Sequence, residues 1–172
     1  MGIIEGIEVA PVMACDQHPI ETIIMRVQLR PAPFDAVAEV MDYRAAVGNP
    51  GKSGATSIFI GTMRDFNEGE EVGAMTLEHY PGMTEKHLEE ICEQAQEQWA
   101  VHDILVLHRT GDIDVGEDIV LVAAWAAHRG DAIDATRFII EDLKHKAPFW
   151  KKEAVSDGER WVERNTSGYS SS

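Results

Sequence analysis

Between Thr22 and Arg30 the chain reads TIIMRVQLR, a β-rich run that Pro31 and Pro33 cut off, and this predicts a strand. Phe34, Val37, Val40 and Met41 then recur at helical spacing, which predicts a helix over 34–47. Gly48-Asn49-Pro50-Gly51 is a turn sequence, and Gly54 to Thr62 (GATSIFIGT) predicts the next strand. Met63 to Glu71 reads as a polar loop. Val72 to Tyr80 predicts a strand that ends at the Pro81-Gly82 break.

The clearest helix is 83–99. Leu88, Ile91, Cys92, Ala95 and Trp99 share one face, while Glu85, Glu89, Glu93 and Glu97 repeat every four residues on another. Like charges at that spacing repel by about 0.2–0.5 kcal/mol per pair, so the acidic face belongs in water. A strand at 103–108 follows, then a Gly-rich turn over 110–116. The apolar run at 118–127 lacks polar alternation, as a strand covered on both faces does. Asp131 to Lys146 predicts the last helix, with Ala132, Ala135, Ile139 and Leu143 inward. Ala147-Pro148 stops it, because the residue before proline avoids the α region. Two short strands, 148–154 and 159–164, flank the turn Ser156-Asp157-Gly158.

The order β-α-β-β-α-β-β-α, followed by short strands, predicts an α+β fold with a mostly antiparallel sheet and three main helices. Its first six elements also fit a ferredoxin-like split βαβ. The organisation reads as an N-terminal arm over 1–21, a single domain over 22–164 and a Ser-rich tail over 165–172. There is no internal repeat.

Composition narrows the function classes. The 172 residues hold 15 Lys+Arg against 30 Asp+Glu, a net charge of −15, which disfavours nucleic acid and anionic membranes as partners. The longest apolar stretch, Ile119 to Ala127, is far short of the about 20 residues a bilayer span needs. Met1 to Ile7 carries Glu5 and no basic residue, unlike a secretory signal. The two cysteines, Cys15 and Cys92, form no CxxC and no disulfide framework. The expectation is a reduced, cytoplasmic protein.

The charge is unevenly spread. Lys144-His145-Lys146-Ala147-Pro148-Phe149-Trp150-Lys151-Lys152 holds 4 of the 15 basic residues and no acid, leaving the rest of the chain at −19. Lysines at a helix C-terminus also favour its dipole, which is the bland reading of Lys146 and Lys152. Lys144 and Lys151 flank the helix end and the Phe149-Trp150 pair, where an ammonium can serve in acid–base or nucleophilic chemistry. His128-Arg129 stands before the last helix, beside N–H groups that favour an anion. The alternative is a turn histidine and a surface cation. Arg64 opens the polar loop after Gly61-Thr62-Met63, where a lone arginine is ordinarily solvated.

Other chemistries find little support. The histidines at 79, 87, 102, 108 and 145 are scattered, without HExxH spacing or a Cys partner, so no metal site is expected. P-loop, GxGxxG and GxSxG motifs are absent. Cys92 falls on an apolar stripe and reads as a small core residue.

Several segments together resemble a known family. They are Thr76-Leu77-Glu78-His79-Tyr80-Pro81-Gly82-Met83-Thr84, Ala127-His128-Arg129, Leu143-Lys144, Ala147-Pro148-Phe149-Trp150-Lys151-Lys152-Glu153 and Arg160-Trp161-Val162-Glu163. In unbroken order from Ile23 to Glu163, and with Gly61-Thr62-Met63-Arg64 and Gly69 as a loop motif, they closely resemble the large (catalytic) subunits of molybdopterin synthase, the MoaE family. The resemblance implies an α/β-hammerhead type of α+β fold, a homodimer, and a small ubiquitin-like sulfur-carrier partner with a C-terminal Gly-Gly thiocarboxylate. It implies a sulfurtransferase that acts on cyclic pyranopterin monophosphate to build the molybdopterin dithiolene, with no cofactor. Carried over by residue, Lys144 is the main catalytic lysine and Lys151 the second. Arg64, His128 and Arg129 bind the pterin phosphate, Lys152 and Glu153 complete the wall, and Thr62 and Met63 border the site. Thr62 stands where relatives often carry a basic residue, and Met63 where they often carry Val. The rival readings are a non-catalytic module that docks a ubiquitin-like tail or an anion, and a phosphate-ester enzyme working without sulfur.

Overall fold

The apolar run without alternation, β7 (Asp118–Ala126), lies inside a four-stranded sheet and is covered on both faces. In the computed structural model, which describes residues 24–47, 51–67, 70–146, 148–155 and 158–162, β7 is flanked by β5 (Val101–Arg109) and β2 (Ala55–Thr62), both antiparallel to it. β1 (Ile24–Arg30) completes the order β1-β5-β7-β2 and runs parallel to β5. Val120, Val122, Ala124 and Ala126 pack under α2 (Met83–Gln98) and α3 (Arg129–Lys146). Leu121, Ala123 and Trp125 point the other way, onto Ala36, Val40 and Tyr43 of α1 (Ala36–Val47). From Val120 to Ala126 both sets of β7 side chains are therefore in a core, and no position there is left for a polar residue.

The stripes expected on α2 and α3 are the ones that pack: Leu88, Ile91, Cys92 and Ala95 on the first, Ala132, Ala135, Ile139 and Leu143 on the second. On α1 the expected face holds in part: Phe34 and Val40 pack inward as expected. Val37 and Met41 are instead 62% and 58% exposed, and Ala36 and Tyr43 are buried in their place. Tyr43 lies against Trp125 with ring centroids 5.1 Å apart, and that aromatic contact sets the rotation of the helix. Asp35 caps the helix, its Oδ1 accepting from the Val37 and Ala38 N–H groups at 2.9 and 3.0 Å.

The second sheet is antiparallel in the order β3-β4-β8-β9, with β3 (Phe66–Asn67), β4 (Glu70–His79), β8 (Phe149–Val155) and β9 (Gly158–Val162). A further strand, β6 (Gly111–Asp114), also pairs with β4. β3 and β6 fall in segments expected to be a loop and a turn. Both are short and exist through pairing with β4, so neither has a period of its own to read. Gly111, at φ +75°, turns the chain directly from β5 into β6. Val72, Met75 and Leu77 of β4 pack with Met63 and Ile113 as the core of this sheet.

The fold is α+β, with three helices and mostly antiparallel strands. The ferredoxin-like alternative would keep β4 in one sheet with β1, β2 and β5, but β4 belongs to the second sheet. The arm at 1–21 with Cys15, residues 48–50, Gly69, Ala147, the turn at 156–157, Glu163 and the tail at 165–172 lie outside the described residues.

Candidate functional site

α3 carries the lysine block to the edge of the second sheet. Its last turn presents Lys144, and after Pro148 the chain enters β8. Successive strand residues point to opposite faces. Phe149, Lys151 and Glu153 turn inward, and Trp150, Lys152 and Ala154 turn outward. The inward row borders a cavity of about 360 Å³, within the range of small-ligand sites. Its opposite wall is the end of β2 and the segment after it, with Thr62, Met63 and Arg64. Leu143 and Lys144 of α3, Met75 and Leu77 of β4, and His108 of β5 complete it.

Local main-chain geometry brings Arg64 there. The β2–β7 register shifts between Gly61 and Thr62, and a Cβ on Gly61 would stand 2.8 Å from Val120 Cγ1. The Met63 N–H donates to the Glu117 carbonyl and its own carbonyl accepts from the Gly116 N–H, each at 2.8 Å. Met63 is thereby fixed and buried, and Arg64 follows on the rim with its guanidinium 4.8 Å from the Phe66 ring centroid. Thr62 Oγ1 donates to Asp118 Oδ1 at 3.3 Å.

Arg64, Lys144 and Lys151 give the cavity three cations, and Glu153 is the acid among them. Glu153 is 1% exposed, with Oε1 2.5 Å from Lys151 Nζ and Oε2 3.1 Å from Arg160 Nη2. A carboxylate this deep requires compensation, and the two cations supply it. The arrangement leaves a cation-rich recess suited to an anion and to stabilising an oxyanion that forms during reaction.

His108 faces the same cavity. Its ring stacks on Phe149 at 4.1 Å between centroids and 15° between planes. Nδ1 lies 2.8 Å from the Arg109 carbonyl, which only accepts, so Nδ1 carries the proton and Nε2 is an acceptor. Burial lowers the His108 pKa to about 4, with the Arg109 carbonyl opposing and His79 adding to the effect, so the imidazole is neutral near pH 7. Sequence reasoning set this residue aside among scattered histidines. The signal it missed was the position of His108 at the end of a buried strand, just before the Arg109-Thr110-Gly111 turn.

Three other expected site residues stand elsewhere. His128 and Arg129 are exposed at the start of α3, and Arg129 is fifteen helical residues from Lys144, roughly 22 Å at 1.5 Å per residue. Lys152 lies on the outward face of β8, with Nζ 5.8 Å from the Trp161 ring centroid. Strand alternation separates it from Lys151 and Glu153. Cys92 is buried in the core, where burial foremost, with Glu89 and Glu93, pushes its thiol up to about 12. A thiolate is disfavoured there. Among the described residues no cluster of three or more His, Cys, Asp or Glu is placed to hold a metal ion, and no helix is long and apolar enough to cross a membrane.

Known proteins share this sequence and fold. Residues 29–146 match the family described as MoaE protein. The molybdopterin synthase catalytic subunit of Haemophilus influenzae is 46% identical over 145 residues, covering 83% of this chain and 93% of that protein. The solved molybdopterin biosynthesis MoaE protein from Burkholderia ambifaria superposes with a TM-score of 0.69 at 45% identity, covering 84% of this chain and 94% of that one. A protein in the complex of subunits 1 and 2 of molybdopterin-converting factor from Helicobacter pylori gives a TM-score of 0.66 over 80% of this chain and 90% of its own. At 20% identity, that likeness is one of fold.

Proposed function

The chain belongs to the MoaE protein family, and on that premise we propose that it is the catalytic subunit of a molybdopterin synthase. In this reading it transfers sulfur from the C-terminal thiocarboxylate of a small ubiquitin-like carrier to cyclic pyranopterin monophosphate, forming the dithiolene. One observation carries it: Lys144 from a helix end and Lys151 from the following strand converge with Arg64 on a single cavity. The substrate is an anion, and the donor is an acyl group whose carbonyl oxygen gains negative charge as the carbon–sulfur bond is exchanged. Preorganised cations bind the first and stabilise the second. Lysine can in addition move a proton at the reacting centre. Sulfur arriving on a carrier also fits the chain's own described cysteine being sealed in the core.

His128 and Arg129 enter this reading from a second copy of the chain. The length of α3 keeps them away from the Lys144 of their own chain. If they meet the pterin phosphate, the homodimer places them across the subunit boundary.

The test is a reconstitution with thiocarboxylated carrier and cyclic pterin precursor, read by dithiolene product. Lys144→Ala is expected to lower turnover by about 10²–10⁴-fold while the chain stays folded. Near-normal conversion by that variant refutes the catalytic reading, as does anion binding without turnover by the native chain. Mixing Lys144→Ala chains with Arg129→Ala chains is expected to restore activity, since a mixed dimer then has one intact site. A mixture no more active than its parents refutes the shared site.

A further inference from the structure

Arg160 belongs to the Arg160-Trp161-Val162-Glu163 segment, to which the function proposed above assigns no task. It sits on β9, beside β8 and on the side away from β4, and does not itself line that cavity. The hairpin register sets Arg160 directly across from Glu153, and Lys151 across from Val162. On the other side of β8, Glu153 pairs with Met75 and Lys151 with Leu77, both apolar and buried. The carboxylate is thus held between a hydrophobic strand and an arginine, and its two oxygens are divided: Oε2 takes Arg160 at 3.1 Å and Oε1 takes Lys151 at 2.5 Å.

We infer that Arg160 is a positioning residue for the sulfur-transfer site, fixing the Glu153 carboxylate so that its second oxygen holds the Lys151 ammonium toward the cavity. The inference rests on the reading that Lys151 serves the reaction.

Two physical arguments support this role. The first is geometric. A carboxylate held at one oxygen by a guanidinium turns less freely, and the ammonium on its other oxygen is then confined to a narrower range of places. Without Arg160 the carboxylate can turn, and Lys151 follows it. The second is charge. Lys151 and Glu153 alone would cancel, whereas Lys151, Glu153 and Arg160 together keep one positive charge beside the cavity. Arg64, Lys144 and the neutral His108 face the same volume from the other walls. The anion therefore meets a wall whose buried acid is already compensated from the neighbouring strand.

The experiment is a double-mutant cycle in the reconstituted complex with thiocarboxylated carrier, with thermal melting confirming that each variant is folded. Arg160→Met is expected to lower kcat about 10- to 100-fold, the scale of a small misplacement of a reacting group. Arg160→Lys, which keeps the charge but not the guanidinium geometry, is expected to recover part of that loss. In a Glu153→Gln background, where no carboxylate needs holding, Arg160→Met is expected to change kcat by less than about threefold. An arginine that merely braced the hairpin would cost the same in both backgrounds, and that result overturns the inference. So does Arg160→Met retaining kcat within about twofold of native while Lys151→Met is slow. If Arg160→Met alone does not fold, the comparison within the Glu153→Gln background and the Arg160→Lys variant decide the matter. Near-native turnover by Lys151→Met is the separate outcome that refutes the underlying assignment of Lys151.

Discussion

Arg109 and Glu153 are each 1% exposed, yet the groups that compensate them differ in kind. Arg109 Nη1 donates to the carbonyls of Arg30, Pro31 and Thr110, and Nη2 to the Asp112 carbonyl and the Glu117 carboxylate. Four of those five acceptors are main-chain oxygens, so the guanidinium ties the end of β1 to the β5–β6 turn. Glu153 is compensated by side-chain cations, and one of them, Lys151, borders open volume. A buried charge spent on backbone carbonyls fastens the fold. A buried charge shared among cations beside a cavity shapes the field that a ligand meets. The two cases look alike in sequence, where each is an ionisable residue in a strand, and only the partners separate them.

The sharpest test of the contrast is Arg109→Leu, which removes the guanidinium from Glu117 and from the four carbonyls. It is expected to lower unfolding free energy by about 3–5 kcal/mol, measured by urea denaturation, with Arg109→Lys intermediate. If Arg109→Leu instead leaves the urea midpoint in place and lowers turnover, the contrast fails. Its neighbour His108 gives a smaller effect with a definite sign. The unfolded imidazole takes up a proton near 6.5 and the folded one only near 4. Between those values the unfolded chain binds more protons, so stability is full above about pH 6.5 and falls as the pH drops toward 4. The loss is about 3 kcal/mol at most. Urea midpoints followed across that range should decline in the native chain, and His108→Asn should remove that part of the decline. An identical pH dependence in the two proteins would sink the assignment.

Much of the fold was legible because burial left a period behind. The two-sided apolar run of β7 and the stripes of α2 and α3 are direct records of what each element packs against. α1 misled because Val37 and Met41 offer a helical pair as plausible as Ala36, Val40 and Tyr43, and the choice between them was made by Trp125, 82 positions after Tyr43. β3 and β6 are set by pairing with β4, which no local pattern encodes. At the site, the uneven charge pointed to Lys144 and Lys151. The outward face of Lys152 and the remoteness of His128 and Arg129 were also implicit, in strand alternation and helix rise. His108 left only its place at the end of a buried strand as a sign, and Arg160, set by its pairing with Glu153, left none.

The parallel pairing of β1 with β5 has a consequence for synthesis. Ile24 meets Asp103, 79 positions further on. At about 5–20 residues per second, β1 leaves the ribosome roughly 4–16 s before its sheet neighbour exists. During that interval Met25, Val27 and Leu29 form an apolar row with no cover from the native sheet. Arg26, Gln28 and Arg30 interrupt the row at every second position. Charges so placed discourage pairing between nascent chains, so the polar residues of β1 protect the strand before it has a fold to join.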